Sequence, residues 1–80
     1  MKLIDFVSLA YNEQLAQLKR FGTARTSFTI ASYHFVLYQL GDFFVELKRR
    51  LPDLYLEKMM TMHFEDLPNE YKVLLSPAVS

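Results

Sequence analysis

The chain has 80 residues, enough for one domain and too few for two. Half of them are hydrophobic (51%), twelve are Phe or Tyr, and nine basic residues balance nine acidic ones, which excludes a disordered polyampholyte and leaves material for a real core. There is no cysteine, so disulfides, thiolate metal sites and cysteine nucleophiles are excluded together.

The charge is distributed unevenly. Residues 1–50 hold seven basic and four acidic side chains, a net of +3, whereas residues 51–80 hold two and five, a net of −3. Such polarity lets one end meet phosphates and the other meet protein. No stretch has the roughly 20 consecutive apolar residues of a membrane span, nor the apolar core of a signal peptide, so a soluble, cytoplasmic chain is expected.

In chain order, the first predicted element is a helix from about Leu3 to Arg20. Ile4, Val7, Tyr11, Leu15 and Leu18 recur three and four residues apart and share one helical face. Lys19 and Arg20 suit the negative end of its dipole, and Gly22 supplies a stop. Thr23 to Ser27 reads as a polar loop, with Thr26 and Ser27 as candidate caps of a second helix. That helix is expected to continue to about Arg50. Ile30, Tyr33, Leu37, Leu40, Phe44, Leu47 and Leu51 keep a 3-4-3-4 spacing that one strand cannot produce, with a bend or break possible at Gly41. Phe28, Phe35, Val36 and Phe43 make the element apolar on further faces, as expected of a helix wrapped by neighbours or by a second subunit.

Pro52 ends the pattern. Residues 53–60 suit either a short helix or an extended connector, and Thr61 is placed to cap a helix through Leu67. Asn69 to Leu75 reads as a last short helix, followed by a loose tail over 76–80. The whole predicts an all-α domain of four to five helices around a long second helix.

Catalytic and metal chemistry find little to stand on. Only His34 and His63 are available as nitrogen ligands, and Met59, Met60 and Met62 beside His63 read as adaptable packing rather than a copper site. Gly22 and Gly41 lie too far apart for a phosphate loop, and no serine sits in a nucleophile elbow. The expectation is no cofactor, no metal and no enzymatic activity. Basic residues flank the second helix instead: Lys19, Arg20 and Arg25 before it, Lys48, Arg49 and Arg50 at its end. Either group suits phosphates. Thr23, Thr26, Ser27 and Thr29 add hydroxyls at the first of these ends, suited to capping or to phosphate oxygens.

The segment Thr26-Ser27-Phe28-Thr29-Ile30-Ala31-Ser32-Tyr33-His34-Phe35-Val36-Leu37 resembles the opening of the second helix in the SAM-like core-binding domain of tyrosine recombinases and phage integrases. Thr26, Thr29, Ile30, Tyr33 and Leu37 stand at the family's serine, threonine, aliphatic, tyrosine and leucine positions, and His34 where it usually has arginine. The likeness extends over about residues 4–75. It implies a helical bundle forming half of a clamp around double-stranded DNA, with Arg25, Thr26, Thr29 and His34 on the duplex. Lys19 and Arg20 join them on charge. The chain carries no counterpart of the family's catalytic domain, so the expected role is a DNA-binding module that helps position a catalytic partner. The alternative is a helical protein–protein or oligomerisation module, for example a phage- or plasmid-encoded inhibitor of a host protein, using Phe35 and Phe43 as its interface.

Overall fold

A computed structural model describes residues 1–75. The expected all-α bundle is overturned. The chain forms two N-terminal helices, α1 (Leu3–Val7) and α2 (Tyr11–Phe21), then four strands, β1 (Thr23–Ile30), β2 (Tyr33–Leu40), β3 (Phe43–Arg50) and β4 (Tyr55–His63). A single 3-10 turn (Phe64–Asp66) leads into α3 (Asn69–Leu75). The strands make one antiparallel sheet in sequence order, β1-β2-β3-β4. The SAM-like bundle implied by the resemblance therefore does not describe this chain. The tail predicted for 76–80 lies outside the described residues.

The segment expected as the long second helix is two consecutive hairpins. Ala31 and Ser32 form the loop closed by the Ile30–Tyr33 pair, and Gly41 and Asp42 the loop closed by Leu40–Phe43. The first residue of each loop is left-handed, Ala31 at φ 54° and Gly41 at φ 64°. This is where two-residue hairpin loops need a positive φ. Gly41, expected to bend or break a helix, instead lies in the loop between β2 and β3. The Leu51 backbone N–H donates to the Ser32 carbonyl at 2.8 Å, tying the first loop to the end of β3.

Strand composition explains the outcome. Between Thr26 and Arg50 the chain is rich in Thr, Ile, Val, Phe and Tyr, residues that fit a pleated surface and lose rotamer freedom in a helix. On β3, Phe43, Val45 and Leu47 project to one face and Phe44, Glu46 and Lys48 to the other. A central strand covered on both faces reads as a nearly continuous apolar run, which is what made the segment look apolar all round.

Two cores follow, one on each face. Phe6, Leu18, Leu40, Phe43, Val45 and Leu47 pack beneath α1 and α2, with the Phe6 and Phe43 rings 5.5 Å apart and tilted by 55°. Leu37, Phe44, Met62, Leu67 and Tyr71 pack beneath α3, with Phe28 and Leu75 at the margin. The expected apolar seam is thus divided: Leu40 and Leu47 go to the first core, Leu37 and Phe44 to the second, and Ile30 is 60% exposed.

The N-terminal helix breaks at Ser8–Ala10. The Ser8 hydroxyl donates back to the Ile4 carbonyl at 2.8 Å, competing with helix continuation. Ala10 is extended, and its N–H donates to Glu13 Oε1 at 3.3 Å, which starts α2 afresh. Gln14 Nε2 donates to the Phe6 carbonyl at 2.9 Å and fixes the corner. The break turns Phe6 inward and leaves Ile4, Val7 and Tyr11 of the predicted inner face exposed. Gly22 ends α2 in an extended conformation. A Cβ there would lie 2.7 Å from the Leu18 carbonyl oxygen, so glycine answers a close approach.

Residues 55–60 settle as strand, the extended option. Thr61 lies within β4 opposite Val45 and caps no helix. The last short helix spans Asn69–Leu75 as read from the sequence.

Candidate nucleic-acid interface

In an antiparallel sheet, directly paired residues project to the same side, so the pairing register defines rows across all four strands. On the face that carries α3, one end row is Ile30, Tyr33, Arg50 and Tyr55. The next is Phe28, Phe35, Lys48 and Lys58, and the third Thr26, Leu37, Glu46 and Met60. Helix α3 lies over the far part of this face, on Leu37, Phe44 and Met62, and reaches Phe28 through Tyr71 at 5.6 Å between ring centroids. It does not extend over the first row. Ile30 is 60% and Tyr55 59% exposed, Arg50 and Lys58 are exposed, and Tyr33, Phe35 and Lys48 are half-buried.

The first row, with the part of the second beyond Phe28, interleaves rings with cations. Lys48 Nζ stands 4.2 Å from the centroid of the Tyr33 ring, and Arg50 Cζ 5.1 Å from that of Tyr55. Phe28 and Phe35 stack at 5.1 Å with an interplanar angle of 22°. Tyr33 and Tyr55 thus each carry a cation at a ring face, beside the stacked Phe28–Phe35 pair.

Acidic neighbours modulate one of these cations. Arg50 Nη2 donates to Asp53 Oδ2 at 3.1 Å, and Arg50 Nη1 lies 3.6 Å from Glu57 Oε1. The hydrogen bond between them raises the Arg50 pKa and lowers that of Asp53, so both stay charged across the ordinary pH range. Lys48 and Lys58 form no ion pair among the described residues.

The residues expected on DNA do not converge. Lys19 and Arg20 lie in the last turn of α2, on the opposite side of the sheet, and Arg20 sits over the Phe21 ring at 5.4 Å. Arg25 occupies a bulge in β1 and donates to Gln39 Oε1. Thr29 and His34 are paired across β1 and β2, with Oγ1 and Nδ1 3.0 Å apart, on the α1/α2 face. Thr26 is on the other face and caps nothing. Four strand residues, roughly 13 Å, separate Arg25 from Thr29. Phe35 is in the uncovered part of the second row, whereas Phe43 is wholly buried against Phe6 and presents no surface to a partner.

Lys48 and Arg50, expected as helix-end cations, are grouped with Tyr33, Tyr55 and Lys58 only by the pairing of the strands. The signal is period two: Tyr33-x-Phe35 on one strand and Lys48-x-Arg50 on the next place like residues on one face once the strands are recognised. Among the described residues no three His, Asp or Glu side chains gather as a metal site, and no helix is long and apolar enough to cross a membrane. No protein-family model matches the chain, and no curated protein or solved structure is detectably similar to it.

Proposed function

We propose that the chain binds single-stranded nucleic acid on the uncovered first row of its sheet and on Phe35, Lys48 and Lys58 of the second. One observation carries the reading: rings on β2 and β4 alternate with cations on β3 and β4 on a face left open by α3. Bases stack on Tyr33 and Tyr55, and Lys48, Arg50 and Lys58 meet the phosphates. Duplex DNA, the partner first expected, is read by an element that enters a groove. A broad open sheet face suits unpaired bases instead, in DNA or RNA alike. The role goes with a cytoplasmic location, which a cysteine-free composition also suits.

The test is fluorescence anisotropy with labelled 12-nucleotide oligo-dT and oligo-rU at 50 and 200 mM salt. With three cations on phosphates and a slope of about −0.7 per contact, affinity should fall roughly twentyfold between the two conditions. Tyr33→Ala and Tyr55→Ala should each weaken binding by about 1–3 kcal/mol. No binding of either strand at 50 mM salt would contradict the proposal.

Assembly through β1 is the second reading, because β1 is an edge strand exposed along most of its length. It moves the expected interface away from Phe43 to the free backbone of Thr23–Ile30. A mass that rises with concentration in light scattering, and returns to the monomer on Ser27→Pro, would support it.

A further inference from the structure

A groove of about 430 Å³ lies on the opposite side of the sheet from the proposed nucleic-acid face, between α2 and strands β2 and β3. Its helical wall is Asn12, Leu15, Ala16 and Lys19, which recur at three- and four-residue spacing along one side of α2. Its sheet wall is Tyr38 of β2 with Leu47 and Arg49 of β3. Ala16, in the middle of the helical wall, lines the opening with no more than a methyl group.

The lining is chemically one-sided. Lys19 and Arg49 bring two positive charges, Tyr38 a hydroxyl and Asn12 an amide, and no carboxylate lines the groove. Neither cation is in an ion pair among the described residues, and the Arg49 guanidinium spends one Nη1–H on the Leu54 carbonyl at 3.3 Å. Leu15, Ala16 and Leu47 add apolar lining to the two walls. A guanidinium presents a planar fork that matches phosphate oxygens, and an ammonium beside it adds a second charge. The volume falls in the range of small-molecule sites.

We infer that this groove is a binding site for a small organic phosphate monoester, its phosphate between Lys19 and Arg49 and its compact apolar body on Leu15, Ala16 and Leu47. Charge complementarity selects the dianion, and the apolar lining selects an ester over inorganic phosphate. The site is separate from the aromatic rows, so it stands or falls independently of the nucleic-acid reading.

The experiment is a titration of the ¹⁵N-labelled full chain with phenyl phosphate, inorganic phosphate and benzyl alcohol, read as amide shifts. Phenyl phosphate should shift Asn12, Ala16, Lys19 and Arg49 saturably and bind about tenfold more tightly than either of the other two. Arg49→Gln should weaken it about tenfold. Ala16→Leu, on an exposed helix position that tolerates leucine, should do the same by filling the groove while keeping both charges. Unchanged binding to Ala16→Leu, equal binding of inorganic phosphate, or shifts confined to Tyr33, Phe35 and Tyr55 would each overturn the inference.

Discussion

The Tyr71 hydroxyl donates to Glu46 Oε2 across 2.5 Å, joining α3 to the centre of β3. Burial first, and then the hydrogen bond to the Glu46 carboxylate, raises the tyrosine pKa above its ordinary value near 10. A raised pKa means the folded chain holds this proton more tightly than the unfolded one. The resulting stabilisation is complete below about pH 10 and is lost as pH rises towards the folded value. Tyr71→Phe should therefore cost about 1.5–3 kcal/mol in urea unfolding at pH 7 and flatten the alkaline loss of stability. An unchanged alkaline limb in Tyr71→Phe would show that other groups set it. At the first hairpin loop, Ala31 holds a left-handed φ of 54° that costs a non-glycine residue about 1–2 kcal/mol. Ala31→Gly relieves this and loses part of the gain to unfolded-chain entropy, so its urea midpoint should rise modestly. A fall would mean that the loop does not adopt this conformation.

Elements were legible to the extent that their signals were local. The short helix Asn69–Leu75 follows Pro68 and was read with its observed bounds. The termination of α2 at Gly22 was also legible, because Lys19, Arg20 and glycine mark it within four residues. The sheet was not. Each hairpin loop resets the phase of the apolar alternation, and two resets ten residues apart turned three strands of period two into an apparent 3-4-3-4 series. Ala31-Ser32 is a poor loop signature, so nothing local announced the first turn; Gly41-Asp42 did, and strand-rich composition on both sides of it was the signal to weigh. The same error hid the candidate site, since Tyr33, Lys48, Arg50 and Tyr55 form a row only in the pairing register. For the N-terminal helices, the break at Ser8–Ala10 sends Phe6 into the first core, where it is completely buried. Phe6→Ala should cost about 3–5 kcal/mol and lower the thermal midpoint sharply. Ile4→Ala, on the predicted inner face but 68% exposed, should change stability by no more than about 0.5 kcal/mol. The reverse order would restore the continuous Leu3–Arg20 helix.

Over the whole molecule, the sheet is a partition between two helical layers of unequal extent. Helices α1 and α2 pack on one face, and α3 packs on part of the other. β4 runs from Tyr55, at the uncovered end, to His63, after which Glu65, Asp66 and Glu70 follow around α3. Eight strand residues, roughly 26 Å, separate Tyr55 in the first row from His63, which Glu65 and Asp66 follow, and this exceeds the Debye length in physiological salt. On the open face, Asp53 and Glu57 occupy Arg50, while Glu46 in the third row accepts from the Tyr71 hydroxyl. Asp53→Asn combined with Glu57→Gln frees this guanidinium and should tighten oligo-dT binding about three- to tenfold at 50 mM salt, with little gain at 200 mM. Equal affinity for the wild type and the double variant at low salt would remove Arg50 from the interface.

The most direct test of a nucleic-acid platform is to map where a single strand rests. Oligo-dT added to the ¹⁵N- and ¹³C-labelled chain should shift the Tyr33, Phe35 and Tyr55 ring resonances and the Lys48, Arg50 and Lys58 backbone, leaving Lys19, Arg20, Arg25 and the α3 layer unmoved. Shifts centred on Lys19, Arg20 and Arg25 with the aromatic rows silent would contradict the account and return the interface to the basic residues around the end of α2.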